Sequence, residues 1–194
     1  MSKIEEAKEF LIELGMPPQQ QNEMCFPISP KRRGESKAST QILDACCGSR
    51  MFWFDKANPN VTFCDIRDVD RHEYYPGRFI EIKPDVQCDF RHLPFPDETF
   101  WHIVFDPPHM IHAGKASWTR EKYGVLDATW PDMLHDGFEE CWRVLKPNGT
   151  LIFKWSSIQI PLRDILKHID HKPLYGHKSG KHSNTHWLAF VKAV

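Results

Sequence analysis

ILDACCGS, residues 42–49, is a short apolar run that leads directly into a carboxylate and a glycine turn. A strand that ends in such a turn lets backbone amides approach a ligand closely. Asp44 can then accept hydrogen bonds from the ligand, with Ala45, Cys46 and Gly48 beside it. The run therefore predicts the first strand and the ligand-binding turn of an α/β domain.

Short apolar runs recur from Gln41 onward at the spacing of β-α-β units, which is typical of a doubly wound, mostly parallel sheet. Strands are predicted at Ile42–Ala45, Val61–Cys64, Val86–Asp89, His102–Phe105 and Thr150–Trp155. Helices are predicted over Trp130–Leu145 and Leu162–Ile169. The C-terminal residues predict an antiparallel hairpin with strands at Pro173–His177 and Thr185–Val191. The fold class is therefore α/β, and its ligand site is expected at the carboxyl ends of the parallel strands.

The length of the chain, 194 residues, suits one compact domain and is short for two. We assign residues 41–194 to that domain and residues 1–40 to an amphipathic helix at Ile4–Leu14 followed by an extended arm. No run approaches the roughly 18 apolar residues of a membrane span, and the N-terminus lacks the apolar core of a secretory signal. We therefore expect a cytoplasmic protein that makes no membrane contact.

The six cysteines are scattered, apart from the adjacent Cys46 and Cys47, and form no Cys-x-x-Cys pair. This spacing predicts reduced, mostly buried thiols and argues against a disulfide framework or a zinc knuckle. No set of His, Cys and carboxylate residues has the spacing of a metal site, so no metal is predicted.

Two later strands also end in a carboxylate. Asp65 closes the second predicted strand, where an acidic residue can bind both hydroxyls of a ribose, and the neighbouring Ile66 can cover one face of an adenine ring. Asp89 and Phe90 follow the third strand and suit the amino group and the π face of adenine. The recurrence of acidic residues at successive strand ends predicts a nucleoside-binding edge of the sheet.

The fourth strand ends in the motif Asp106-Pro107-Pro108-His109. Two successive prolines remove two backbone donors and fix φ, which leaves the carbonyl of Pro107 as a rigid acceptor. Asp106 supplies a second fixed acceptor. Two acceptors can hold both hydrogens of an amino group, which directs the nitrogen lone pair toward an electrophilic methyl group. The motif therefore predicts methyl transfer to an amino nitrogen.

The order of DACCGS, FCD, CDF, DPPH and RVLKPNGTLIFKW resembles the class I S-adenosylmethionine-dependent methyltransferases, particularly the amino-methyltransferases with a [DN]-P-P-[YFW] motif. The resemblance runs from about Gln41 to the C-terminus and implies a Rossmann-like fold with S-adenosylmethionine as cofactor. For the cofactor, it implies that Asp44 and Gly48 line the methionine end and that Asp65 binds the ribose. It implies that Asp89 and Phe90 contact the adenine. The target base is then expected to face Asp106, Pro107 and His109.

The chain departs from the family pattern at two positions. Arg50 stands where the family's loop usually has another glycine, and His109 replaces the aromatic residue that stacks on the flipped base. An imidazole can stack on a base or accept a proton, because its ordinary pKa lies near neutrality. We favour stacking and leave both roles open.

The formal net charge of −1 gives no overall electrostatic case for a nucleic-acid partner, so any basic footprint is local. The loop from His109 to Tyr123 mixes cations and aromatics that suit a phosphate backbone with an unstacked base. The predicted substrate-binding residues are Lys115, Trp118, Arg120, Lys178 and Lys181. Adenine N6 of DNA or RNA is the predicted acceptor.

Two other functions fit the same motifs. A protein glutamine or amine, or a small-molecule amine, can be held by the same two acceptors, and a non-catalytic cofactor-binding partner subunit is the third possibility. The intact Asp65 and Asp106 argue against the non-catalytic subunit. The sequence does not separate DNA from RNA and makes no prediction of the oligomeric state.

Overall fold

A seven-stranded sheet forms the centre of the computed structural model, which describes residues 40–114 and 117–193. The described residues form nine strands, of which seven belong to this sheet and two, β3 and β4, form a separate sheet. They are β1 (Ile42–Asp44), β2 (Val61–Asp65), β3 (Val69–Tyr75), β4 (Arg78–Ile82), β5 (Val86–Gln87), β6 (Phe100–Phe105), β7 (Leu145–Ser156), β8 (Tyr175–Lys178) and β9 (Thr185–Val191). The large sheet has the order β5-β2-β1-β6-β7-β9-β8. Its first five strands are parallel, and β9 is antiparallel to both β7 and β8. The predicted Rossmann-like, mostly parallel sheet with a C-terminal antiparallel hairpin is confirmed.

The strand β7 carries an irregularity at its start. Leu145 is paired with Phe100, but the regular parallel ladder begins only at Thr150, opposite His102. Between them lies the Pro-Asn-Gly turn, where Asn148 has a positive φ of 63°. The turn sets the register of β7 against β6 and brings Phe153 opposite Phe105 at the carboxyl end of the sheet.

Three helices are described: α1 (Trp118–Tyr123), α2 (Trp130–Val144) and α3 (Leu162–Ile165), the last continued by a 3-10 turn at Leu166–His168. In α2 the apolar residues recur at helical spacing, and Leu134, Phe138 and Cys141 are buried against the sheet. Both predicted helices exist, and α2 ends within one residue of its predicted end.

The connections around β2 differ from β-α-β units. In the described structure, residues 45–60 form turns without a helix, and a two-stranded antiparallel sheet of β3 and β4 occupies residues 69–82. Residues 69–82 are rich in aromatic and β-branched side chains around the pair Pro76-Gly77, a composition that favours a hairpin over a helix. This hairpin was not predicted from the sequence.

The main core lies between α2, α3 and one face of the sheet, and its largest fully buried side chains include Trp155, Phe138 and Phe153. A second cluster of Cys47, Val61 and Phe63 packs with Ile42 and Trp53 on the turns after β1. No disulfide joins the five cysteines within the described ranges, and four of them are buried. Among the described helices, none has the length and apolar character that crossing a membrane requires.

Some predicted features lie outside the described residues. They are the helix at Ile4–Leu14, the arm that follows it up to residue 39, and Lys115 in the loop after the proline motif.

Candidate active site

The carboxyl ends of the parallel strands bring the predicted acidic residues together. Asp44 ends β1, Asp65 ends β2 and Asp106 follows β6, while Asp89 comes two residues after β5. A cavity of about 60 Å³ lies between these strand ends. Its lining comprises Ala45, Cys46, Asp65, Ile66, Arg67, Phe90, Asp106, Pro108 and Tyr123.

Asp44 is fully buried, with both carboxylate oxygens held by the turn that follows it. One oxygen accepts from the Trp53 indole Nε1 at 2.7 Å and the other from the Cys46 backbone N–H at 3.2 Å. Burial raises the pKa of Asp44 to about 7, although these hydrogen bonds oppose the increase. No cation contacts this carboxylate in the part of the chain that the structure describes.

The loop after β1 uses two residues with positive φ. Gly48 has φ 48°, and Arg50, at the position where glycine was expected, has φ 54°. The Arg50 guanidinium donates to the carbonyls of Lys56 at 2.5 Å and Lys83 at 2.6 Å and lies 3.8 Å from the Phe63 ring centroid. These contacts hold a backbone conformation that costs a non-glycine residue roughly 1–2 kcal/mol. The loop therefore adopts a positive φ at Arg50 although the residue there is not glycine.

Asp65 is held by its own neighbourhood. Its carboxylate accepts from the Gly48 backbone N–H at 2.8 Å and from Nε of Arg67 at 3.0 Å. Arg67 also donates to the backbone carbonyl of Glu121, at the end of α1, at 3.2 Å. The arginine therefore bridges the end of β2 to α1 and occupies part of the space between them. The cavity volume of about 60 Å³ is far below the roughly 300–1,000 Å³ of ordinary ligand pockets.

Asp89 repeats this arrangement after β5. Arg91 contacts both of its oxygens, with Nη2 at 2.6 Å. Burial opposes ionisation of Asp89, but the hydrogen bonds from Arg91 outweigh it and lower the pKa of the carboxyl. Phe90 lines the cavity and packs edge-on against Phe105, with ring centroids 5.3 Å apart. The neighbouring Ile66 is 59% exposed beside the same cavity.

Asp106 forms an ion pair with Lys154 of the adjacent strand β7. The parallel register places Phe105 opposite Phe153, so the residues that follow each of them are neighbours. Burial raises the pKa of Asp106, and the Lys154 ammonium opposes that increase. The hydrogen bond to Lys154 involves one carboxylate oxygen, Oδ2.

His109 lies between two aromatic rings. Its imidazole centroid is 5.9 Å from that of Tyr123 and 6.3 Å from that of Trp155. Burial lowers the pKa of His109, and the nearby Asp106 carboxylate only partly offsets this, so the imidazole is neutral at pH 7. The carbonyl of Pro107 accepts a hydrogen bond from the imidazole, and a carbonyl has a second lone pair for another donor.

The predicted substrate-binding residues are divided between two places. Trp118 and Arg120 lie on α1; Trp118 packs on Tyr74 of the β3–β4 hairpin at 6.3 Å, and Arg120 donates to the Ala113 carbonyl at 3.2 Å. Lys178 is in the edge strand β8, and Lys181 follows it in the turn toward β9. The helix α1 therefore reaches the cavity through Tyr123, while Trp118 and Arg120 are not among the lining residues and the two lysines lie at the outer edge of the sheet.

Five residues that contact the predicted site residues within the described ranges were missed from the sequence: Trp53, Arg67, Arg91, Tyr123 and Lys154. The two arginine contacts had a signal, because Cys-Asp-Ile-Arg at residues 64–67 and Cys-Asp-Phe-Arg at residues 88–91 repeat one pattern. Lys154 had none, since its pairing with Asp106 depends on the register between two strands.

One group in the described part of the chain has ligand atoms close enough for a metal ion: His135, Glu139 and Asp170. His135 and Glu139 belong to α2, and Glu139 is also 3.1 Å from His171. None of these residues lines the cavity at the strand ends.

Comparison with known proteins finds likeness in structure alone. No protein-family model and no curated protein matches the chain. The PH0226 protein from Pyrococcus horikoshii OT3 is 17% identical, with a TM-score of 0.50 over 96% of this chain and 91% of that one. The N-methyltransferase NodS from Bradyrhizobium japonicum WM9 is 12% identical, with a TM-score of 0.49 over 79% of this chain and 85% of that one.

A SAM-dependent methyltransferase from Methanosarcina mazei is 14% identical, with a TM-score of 0.45 over 92% of this chain and 99% of that one. At these identities the likeness to PH0226 establishes a shared fold. A shared fold does not determine an activity, which depends on the residues at the site.

Proposed function

We propose that this protein transfers a methyl group from S-adenosylmethionine to an exocyclic amino nitrogen, with adenine N6 of DNA or RNA as the acceptor. The observation that carries the proposal is the position of Asp106 and Pro108, which line the same cavity as Asp65 at the carboxyl ends of the strands. The motif proposed to hold the amine and the carboxylate proposed to bind the ribose therefore line one cavity.

The residues at the strand ends fit the cofactor. Asp44 is a buried carboxyl without a cation partner in the described ranges. The positive ammonium group of a ligand would therefore stabilise its ionised form, which burial disfavours. Asp65 would take the ribose hydroxyls, with Ile66 against the adenine, and Asp89 would take the adenine amino group. When bound, S-adenosylmethionine supplies an electrophilic methyl group.

Asp106 would hold the amine of the acceptor. Its Oδ2 is engaged by Lys154, which leaves Oδ1 to accept one amine hydrogen, while the rigid carbonyl of Pro107 accepts the other. Two fixed acceptors orient the nitrogen lone pair away from the base ring. Burial raises the pKa of Asp106, and the positive charge of Lys154 opposes that increase and so favours the ionised, acceptor-only carboxylate.

His109 would present its face to the base. The ring is neutral and packed beside Tyr123 and Trp155, so it can stack without first losing a proton. A neutral imidazole can also accept the proton that leaves the amine, and a Phe variant separates these two roles.

The deciding experiment incubates the protein with labelled S-adenosylmethionine and separate DNA, RNA and protein pools, followed by mass analysis of the nucleosides. We expect N6-methyladenosine or its deoxy form in one nucleic-acid pool. Label that appears only in protein or in a small amine would refute the acceptor, and no transfer to any pool would refute the activity.

Variants of Asp106 test how the amine is held. Asp106→Ala should reduce turnover by roughly 10²-fold or more while cofactor affinity changes little, because the lost acceptor acts on the amine. Asp106→Asn retains one acceptor oxygen and should retain more turnover than the alanine variant. Asp97→Ala is the matched control, since Asp97 is also an ion-paired carboxylate, with Arg143, but lies before β6. An active Asp106→Ala variant would contradict the proposed mechanism.

His109→Phe tests stacking. The variant keeps an aromatic face without a basic nitrogen, so stacking predicts retained turnover. If His109→Phe is as inactive as His109→Ala across a pH series, the imidazole acts through its nitrogen.

A further inference from the structure

The β3–β4 hairpin borders a large cleft that the proposed chemistry does not use. The cleft has a volume of about 630 Å³ and lies between the hairpin, the loop at residues 48–51 and the end of α1. It is about ten times larger than the cavity at the strand ends. Its size falls within the range of ordinary ligand-binding pockets.

The cleft contains cations that no carboxylate neutralises. Arg50 and Lys83 are committed, Arg50 to Asp85 and two backbone carbonyls, and Lys83 to two aspartates. The other three basic lining residues, Lys56, Arg71 and Lys122, form no ion pair within residues 40–114 and 117–193. The lining therefore presents three unneutralised positive charges against the single carboxylate of Glu81.

Aromatic rings lie among these cations. Tyr74 and Phe79 line the cleft, and Phe79 is 50% exposed. The Arg71 guanidinium lies 4.1 Å from the Phe79 ring centroid. Unpaired cations beside exposed rings are suited to a chain of phosphates whose bases are unstacked, because the cations bind phosphate and the rings offer stacking faces.

The same composition continues along the hairpin beyond the cleft. The exposed Tyr75 ring lies 5.7 Å from the Arg78 guanidinium at the tip of the hairpin. An extended strand bound in the cleft could continue along the hairpin to this pair. The arrangement favours a polymeric ligand over a mononucleotide.

The cleft adjoins the cavity at the strand ends through neighbouring residues of the two linings. Gly48 lines the cleft while its N–H donates to Asp65 in the cavity, and Lys122 lines the cleft directly before Tyr123 in the cavity. A strand in the cleft would therefore run past the point where its target nucleotide meets Asp106.

We infer that the cleft under the β3–β4 hairpin binds single-stranded nucleic acid next to the target nucleotide, through Arg71, Lys122 and Phe79. The inference rests on the proposed function for its choice of nucleic acid. It assigns strand binding to the hairpin and α1, and it gives no part in strand binding to Lys178 and Lys181 at the outer edge of the sheet.

The test measures binding of fluorescein-labelled 12-nucleotide single strands of DNA and RNA to the full chain by anisotropy at 50–300 mM salt, about the range in which phosphate contacts are lost. The double variant Arg71→Gln, Lys122→Gln should bind about tenfold more weakly at about 100 mM salt. Its salt slope should be smaller by about 1.4, since each phosphate contact on a single strand contributes about 0.7. Phe79→Leu should weaken binding without changing the slope.

Lys146→Gln is the matched control. The Lys146 Nζ lies 4.9 Å from the Trp101 ring, as the Lys122 Nζ lies 5.0 Å from the Tyr123 ring, but Lys146 belongs to the turn at the start of β7. The Lys146→Gln variant should bind the strands with the affinity of the wild type. All variants change exposed or half-buried side chains, and thermal unfolding checks that they are folded.

Binding and methylation are recorded separately, so the two proposals fail separately. If the double variant loses strand affinity while the wild type methylates no nucleic acid, the cleft assignment holds and the proposed function fails. If the wild type methylates a strand and the double variant binds it equally well, the cleft assignment is overturned. Binding of adenosine monophosphate without any strand binding would also overturn it, because the cleft would then take a small anion.

Discussion

Replacing Asp44 with asparagine should stabilise the protein at pH 8 and leave its stability almost unchanged at pH 5. Burial raises the pKa of Asp44 from an ordinary 3.8 to about 7, so the folded chain retains this proton when the unfolded chain loses it. Stability is therefore highest below the unfolded pKa and falls as the pH rises toward 7. The full penalty is about 4 kcal/mol, since each pKa unit corresponds to about 1.4 kcal/mol.

Asparagine removes the charge but keeps only one acceptor oxygen for Trp53 and the Cys46 N–H. The lost hydrogen bond costs about 1 kcal/mol, which leaves a net gain of about 3 kcal/mol at pH 8. Urea unfolding followed by tryptophan fluorescence measures this difference at both pH values. A variant that is destabilised equally at pH 5 and pH 8 would refute the assignment of the raised pKa to Asp44.

Asp89→Asn is the control with the opposite sign. Because the pKa of Asp89 is lowered, its carboxylate contributes stability above the unfolded pKa, and that contribution is lost as the pH falls through the folded pKa. Asp89→Asn should therefore destabilise the protein at pH 8. The two substitutions make the same chemical change within one site, so opposite shifts cannot arise from asparagine itself.

Two further predictions concern the walls of the cavity. Arg67→Ala should bind S-adenosylmethionine several-fold more tightly by calorimetry, because the ribose would no longer displace the arginine from Asp65; weaker binding would instead make Arg67 a cofactor ligand. Gly137→Ala should destabilise α2 by roughly 1–3 kcal/mol, because a Cβ there would lie 2.3 Å from Cδ2 of Phe90, and this overpacking exceeds the gain of about 1 kcal/mol in helix propensity. Urea unfolding measures the stability of the Gly137→Ala variant, with Asp136→Ala at an exposed position of the same helix as the control. An unchanged stability of the Gly137→Ala variant would contradict the packing argument.

The sequence was sufficient for features that depend on local patterns. A carboxylate at the end of an apolar run located Asp44 and Asp65, and the helical spacing of apolar residues located α2. Such patterns carry the information because a strand or an amphipathic helix must bury its apolar residues wherever it lies.

Features that depend on neighbouring strands were out of reach. The ion pair of Lys154 with Asp106 exists because β7 lies beside β6 in one register, which no local pattern reports. The β3–β4 hairpin was missed for a different reason, because a helix was expected between two parallel strands. Its own residues, with Pro76-Gly77 between aromatic runs, contained the signal.

The charges at the strand ends also indicate how a cofactor would lie in the site. Asp65 and Asp89 are each paired with an arginine two residues later, so their charge is balanced within the chain and a ligand there needs only neutral hydroxyl or amino donors. Asp44 has hydrogen-bond donors but no cation in the described structure, so a positively charged group gains most there. S-adenosylmethionine has an ammonium at one end and a neutral nucleoside at the other. The proposed orientation, with the methionine end at Asp44 and the nucleoside at Asp65 and Asp89, therefore matches ligand charge to site charge at each carboxylate.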